Sequence, residues 1–179
     1  MQMHPDCAEI LVSEEQIQNR CVEMGKEISD YYRSKNSNPM VIGLLKGSVP
    51  FLADLIKKMD VDVDIDFMDV SSYSGVNSTE VKIIKDVESN VSGKDVLIVE
   101  DIVDTGKTLA KVVELIKAKG ANEVKIATLL DKPEGRQVEC NVDYVAFTIP
   151  NKFVIGYGLD YNQKYRNLPY VGVIKPSAI

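Results

Sequence analysis

The chain has 179 residues, 45% hydrophobic and 27% charged, which is enough for one domain with a real core and reads as a soluble globular protein. None of its apolar runs reaches the roughly 18 residues of a membrane span, and the opening MQMHPD lacks the basic and apolar regions of a signal peptide. A net charge of −6 argues against non-specific nucleic-acid binding. It does not exclude an anionic substrate, because backbone nests or a divalent cation offset the field locally.

Cys7, Cys21 and Cys140 have neither metal-ligand spacing nor an even count, so reduced thiols in a cytoplasm are expected. His4 is the only histidine and lies near the N-terminus, which argues against a Ser-His-Asp or Cys-His nucleophile and against a zinc site.

Ser13 to Arg33 predicts the first helix. Ser13 and Gln16 have capping-box spacing, and Ile17, Cys21, Met24 and Ile28 fall on one stripe. The polar run 34–38 and Pro39 end it. Residues 40–45 (MVIGLL) read as a buried strand, followed by Lys46-Gly47-Ser48 and a helix with Leu52, Leu55, Ile56 and Met59 on one face; Ser48 is its expected N-cap. This unit serves either as an anion site or as an ordinary βα turn with a solvated lysine. From 61 to 67, Val61, Val63, Ile65 and Phe67 alternate with Asp62, Asp64 and Asp66, a half-buried strand whose acids form the wet face. The small polar stretch 71–80 (SSYSGVNSTE) then separates two halves of a hairpin. It is long for a loop, which fits a lid as well as a plain hairpin tip.

Residues 96–108 (VLIVEDIVDTGKT) organise the chain. Val96 to Val99 read as a strand covered on both faces, and two acids follow at once. Leu109, Val112, Val113 and Ile116 have helical spacing, with Gly120 as the stop. A loop at the carboxyl end of a parallel strand opens into the usual α/β ligand crevice, and the following helix directs free N–H groups and partial positive charge at it. Gly106 permits close approach or a positive φ, Thr105 and Thr108 add hydroxyls, and Lys107 adds charge, which together make a phosphate cradle. Glu100 and Asp101 suit vicinal hydroxyls as hydrogen-bond acceptors, and Asp104 stands where a base or a stabiliser of positive charge is useful. A Walker A loop is excluded because Asp101 occupies the position of its first glycine, and no G-x-G-x-x-G is present in this stretch. The bland alternative is a strand-to-helix turn with an acidic cap.

Strands are expected at 124–130 and 142–147. The tyrosines of the tail, Tyr161, Tyr165 and Tyr170, read as packing residues. Repeated βα units argue for a mainly parallel sheet with helices on both faces.

The stretch 96–108 resembles the PRPP-binding motif of the phosphoribosyltransferases. LLKGS at 44–48, SSYSG at 71–75, LLDKPEGR at 129–136 and above all IPNKFVIGYGLDYNQKYRNLPYVGV at 149–173 extend the resemblance to the bacterial hypoxanthine-guanine phosphoribosyltransferases over most of the chain. The resemblance implies an α/β fold of type I: a mainly parallel five-stranded sheet flanked by helices, a long hairpin lid and a small hood. It implies a single domain over 1–179, with the core at about 35–157 and the hood built by the N-terminal segment and 158–179. It implies purine salvage, the Mg²⁺-dependent transfer of 5-phosphoribosyl from PRPP to a 6-oxopurine, giving IMP or GMP and pyrophosphate, in a cytoplasmic homodimer or homotetramer.

Carried over residue by residue, Lys46 and Gly47 contact pyrophosphate, with a non-proline cis bond between Leu45 and Lys46. Ser72 and Tyr73 close over the reacting centre. Glu100 and Asp101 hold the ribose hydroxyls directly or through metal and water. Asp104 is the base at purine N7, and Thr105, Gly106, Lys107 and Thr108 cradle the 5′-phosphate. Lys132 donates to the purine O6, Phe153 stacks on the base, and Val154 contacts it through its backbone. Asp160 is a ligand of a second metal, and Arg166 contacts pyrophosphate. The acids beside Lys132, Asp131 and Glu134, would weaken its field. Two other functions are open: a non-catalytic regulator that binds RNA or DNA and senses PRPP, which would need a basic face, and a transferase acting on xanthine.

Overall fold

A computed structural model describes residues 2–72 and 81–179, with only the backbone of Ser72. The apolar runs form one sheet of β2 (Met40–Leu44), β3 (Asp64–Ser72), β4 (Val81–Lys85), β5 (Asp95–Val103), β6 (Glu123–Asp131) and β7 (Tyr144–Thr148), in the order β4-β3-β2-β5-β6-β7. Five strands are parallel, as expected, and β4 adds a sixth, antiparallel to β3, whose Ser72 faces Val81. Helix α2 (Val49–Ile56) joins β2 to β3 and α3 (Lys107–Ala118) joins β5 to β6. The chain thus leaves two adjacent central strands, β2 and β5, in opposite directions, and their carboxyl ends open side by side at the switch point of the sheet.

Burial on both faces explains the continuous apolar strands. Val41 and Leu97 belong to a core shared with α1 (Glu14–Ser34) and α2, whereas Ile42 and Ile98 belong to a second core under α3. In α1 the expected stripe Ile17, Cys21, Met24 and Ile28 is buried, about 1.5–3 kcal/mol for each large apolar side chain. Both bonds of the capping box form: the Gln16 N–H donates to Ser13 Oγ at 3.2 Å and the Ser13 N–H to Gln16 Oε1 at 2.8 Å. All three cysteines are free thiols.

Three expectations are corrected. The strand ending at Val99 continues to Val103, because β6 keeps pairing with it as far as Val103↔Asp131 after β2 has stopped at Gly43↔Val99. Ser48 stands at the N-cap of α2 but its hydroxyl makes no capping bond, since its backbone is already helical (φ −73°, ψ −14°). In β3 the acids are not simply the wet face: Ile65 is exposed, whereas Asp66 is buried and accepts the N–H groups of Phe67, Glu88 and Ser89 at 2.7–2.9 Å. Phe67 packs against the core shared with α1 and α2, and Met68 lies in the core under α3, so alternation along β3 does not report solvent.

A second sheet joins the two ends of the chain. β1 (Cys7–Val12), β9 (Val171–Ile174) and β8 (Val154–Ile155) pair antiparallel in the order β1-β9-β8. Cys7, Ile155, Tyr170 and Ile174 form its core. The tail tyrosines pack here and also tie down the N-terminal segment: Tyr165 Oη donates to Asp6 at 2.7 Å, and the His4 N–H donates to Tyr170 Oη at 2.8 Å. Among the described residues, no helix is long and apolar enough to cross a membrane.

Candidate active site

The carboxyl-terminal half of β5 carries both acids. The side chain of Glu100 folds back to accept the Asp101 N–H at 2.9 Å, and Asp101 accepts the Ile102 N–H at 2.7 Å. Desolvation and the neighbouring Asp101 carboxylate push the Glu100 carboxyl well above the ordinary range. Beyond Val103 the chain turns through Asp104 and Thr105 to Gly106, whose φ of +81° is left-handed, one of the two reasons for a glycine there; α3 starts at Lys107, two residues before its first apolar position. Thr105 Oγ1 accepts the Lys107 N–H at 3.4 Å. Glu100, Asp104, Thr105, Gly106 and Thr108 line one cleft of about 200 Å³ at the N-terminus of α3.

The loop after β2 stands beside it. The Leu45–Lys46 bond is cis, Lys46 is exposed and Gly47 is buried. A Cβ at Gly47 would overlap the Asp101 carboxylate, so glycine is what lets this loop lie against the acids.

The segment after β6 closes the other side. Lys132 is buried, and its N–H donates to Val103 O at 2.9 Å. Asp131, expected to weaken the lysine's field, is bound instead by the Arg136 guanidinium at 2.5 Å. The same guanidinium donates to the backbone carbonyl of Asp104 at 2.8 Å, while the N–H groups of Gln137 and Val138 donate to Thr105 O. A Cβ at Gly135 would overlap the Asp104 carboxylate. Arg136 and Gly135 had no assigned role in the sequence; the one signal was their place in the stretch that holds Lys132.

Residues 153–166 complete the site. Val154 is buried; Phe153 is 49% exposed, its ring T-shaped to that of Tyr161 with centroids 5.7 Å apart, so among the described residues half of it is open to a planar ligand. Asp160 accepts the Gln163 N–H at 2.9 Å and pairs with Arg166 at 3.3 Å; Arg166 also donates to Gly158 O at 2.6 Å. Asp101, Asp104, Lys132, Phe153, Val154 and Asp160 line a second cleft, of about 240 Å³, which shares Ile102 and Asp104 with the first. Sequence-distant residues are thus brought to one place. Of the expected site residues, Tyr73 lies outside the described residues, as does the side chain of Ser72.

Glu100, Asp101 and Asp160 supply only carboxylate oxygens, a donor set that fits a hard cation such as Mg²⁺. Among the described residues no group of three acids, histidines or cysteines is close enough to hold a metal alone. The fit is therefore to a cation that shares its coordination with substrate and water.

The model of the phosphoribosyl transferase domain matches residues 13–162. The hypoxanthine-guanine phosphoribosyltransferase of Bacillus subtilis is 52% identical over 177 residues, 98% of this chain and 97% of that protein. The bifunctional protein TilS/HprT of Listeria monocytogenes is 53% identical over 97% of this chain, which spans only 27% of that longer relative. The solved hypoxanthine phosphoribosyltransferase of Trypanosoma cruzi, in complex with the product IMP, superposes with a TM-score of 0.94 at 41% identity over 100% of both chains. The chain belongs to the phosphoribosyltransferase family, in its hypoxanthine-guanine branch.

Proposed function

We propose that this chain catalyses the Mg²⁺-dependent transfer of the 5-phosphoribosyl group from PRPP to N9 of hypoxanthine or guanine, releasing pyrophosphate and forming IMP or GMP in purine salvage. The observation that carries the reading is the pair of adjoining clefts: a phosphate cradle at the start of α3, and beside it a pocket lined by Lys132, Phe153 and Val154, with Asp104 common to both.

In this reading Thr105 to Thr108 receive the 5′-phosphate through backbone N–H groups and hydroxyls at the helix N-terminus. Glu100 and Asp101 accept the ribose hydroxyls, and Lys46, Gly47 and Arg166 face the pyrophosphate. Glu100, Asp101 and Asp160 would hold Mg²⁺, which when bound neutralises the pyrophosphate charge. The N9 lone pair forms the bond to C1′ while the C1′–O bond breaks and its electron pair leaves on pyrophosphate. Asp104 takes the N7 proton. Positive charge at the ribose is stabilised by the carboxylates around it, and Ser72 and Tyr73 would exclude water. Lys132 donates to a 6-oxo group but cannot accept from a 6-amino group, which selects hypoxanthine and guanine over adenine.

The enzyme acts in the cytoplasm, a reading supported by its three free thiols, and works as a homodimer or homotetramer. The N-terminal segment and residues 158–179 serve as the hood of a single domain, a reading supported by the pairing of β1 with β9. Light scattering tests the assembly, and a monomer across working concentrations would remove it. The activity is tested by nucleotide formation from PRPP and Mg²⁺ with hypoxanthine, guanine, xanthine and adenine in parallel. Turnover of the first two with adenine inert is expected, and xanthine turnover would broaden only the specificity. No turnover with PRPP still bound would favour a regulator.

A further inference from the structure

Tyr157 is buried, with its backbone in the left-handed region (φ +50°), a conformation side-chain-bearing residues rarely adopt. Its hydroxyl donates to the Asp54 carboxylate and lies 3.4 Å from Pro50 O, both in α2. Asp54 also accepts from Gln18 of α1 at 2.9 Å and pairs with exposed Lys57 at 3.0 Å. Burial pushes the Asp54 carboxyl up, but the bonds from Tyr157, Gln18 and Lys57 outweigh it and hold it below the ordinary range, so Asp54 is an anionic anchor.

The anchor sits where two parts of the site meet. Helix α2 begins directly after the 46–48 loop. Gly158, next to Tyr157, lies so close to that loop that a Cβ there would overlap Gly47 O and come within 3.1 Å of Pro50 Cδ. Gly158 is also bonded both ways to Arg166, through its N–H to Arg166 O at 2.9 Å and through its carbonyl from the guanidinium. Gly47 in turn lies against Asp101.

From this geometry we infer that Tyr157 and Asp54 are a positioning pair: their bond fixes the turn that carries Asp160 and Arg166 against the loop that carries Lys46, and so sets the width of the subsite for the leaving pyrophosphate. The inference rests on the transfer reading above for what enters that subsite. Neither residue lines the base or phosphate clefts, so their loss acts on pyrophosphate-bearing ligands more than on the base or the product.

The test compares wild type with Tyr157→Phe, Asp54→Asn, the double variant and Lys57→Ala, all in the full chain. Steady-state kinetics gives KM for PRPP and for hypoxanthine, and calorimetry with Mg²⁺ gives Kd for pyrophosphate and for IMP, which lacks the pyrophosphate group. In Tyr157→Phe, KM for PRPP and Kd for pyrophosphate are expected to rise about tenfold, the loss of one hydrogen bond to a charged group. Those for hypoxanthine and IMP stay near wild type. Asp54→Asn shifts the same pair of constants, the double variant adds nothing to the worse single one, and Lys57→Ala matches wild type. Unchanged pyrophosphate binding in Tyr157→Phe overturns the inference, as does an equal rise for all four ligands or the same effect in Lys57→Ala. If Tyr157→Phe does not fold, Asp54→Asn decides by the same constants. Wild type that binds pyrophosphate but turns over no base refutes the transfer reading alone, and the pair is then judged on Kd; wild type that binds no pyrophosphate refutes both.

Discussion

The Arg136 guanidinium donates to the backbone carbonyl of Asp104 at 2.8 Å, lacing the loop that holds Lys132 to the loop that holds the proposed phosphate cradle. Its other arm neutralises Asp131, the acid next to Lys132. Arg136→Met keeps the stem but removes both bonds and leaves a half-buried carboxylate beside the lysine. At about 1.5–3 kcal/mol for a hydrogen bond to a charged group, kcat/KM for hypoxanthine should fall by tenfold or more. The Gln137 and Val138 N–H bonds to Thr105 O remain, so PRPP binding is expected to change less. Kinetics with each substrate varied in turn checks this, and a KM for hypoxanthine unchanged from wild type would remove Arg136 from base recognition.

Asp104 is exposed at the junction of the two clefts, its carboxylate resting against Gly135. Asp104→Asn preserves the shape and removes the proposed general base. The expected outcome is a fall in kcat of about 10²–10⁴, the usual worth of a general base, with little change in PRPP affinity. An unchanged kcat would take Asp104 out of the mechanism.

Two glycines separate crowding from strain. A Cβ at Gly47 meets the Asp101 carboxylate, whereas one at Gly93 (φ +73°) meets nothing within 4 Å. Gly93→Ala should therefore lower stability by about 1–2 kcal/mol, the left-handed penalty, and leave activity intact. Gly47→Ala should displace Asp101 or the loop and abolish most activity. Thermal melts and kinetics on both variants test the contrast; an active Gly47→Ala enzyme would show that the loop does not need to lie against Asp101.

What the sequence made legible was local. The α1 capping box, the buried β5 run and the positive φ of Gly106 each follow from residues within a few positions of one another. The proposed base pocket was not local: no spacing connects Lys132 and Phe153 with Asp104, and only the family resemblance anticipated them, before the fold brought them to one cleft. Arg136 and Tyr157 escaped because their partners, Asp104 and Asp54, stand 32 and 103 positions away. Asp66 was misread for the same reason, since its alternation with Ile65 and Phe67 describes a strand but the N–H groups that let it be buried come from residues 22 and 23 positions on.

Asp66 also supplies a test in pH. Burial pushes its carboxyl up, but the N–H groups of Ser89, Phe67 and Glu88 outweigh that and hold it below the ordinary range. A carboxyl lower in the folded than in the unfolded chain stabilises the fold fully above the unfolded value, about 3.9. The contribution is lost as pH falls through the folded value. Asp66→Asn has no such charge at any pH. At pH 7 it should be less stable than wild type by about 1.5–3 kcal/mol, the worth of hydrogen bonding to a charged group. The gap should narrow below about pH 4, where the unfolded carboxyl begins to bind its proton. Urea melts of both proteins at pH 7 and at the lowest pH where both stay folded measure it. A gap independent of pH would mean that Asp66 is held by shape rather than by charge, and that the loop at 86–89 is ordered without it.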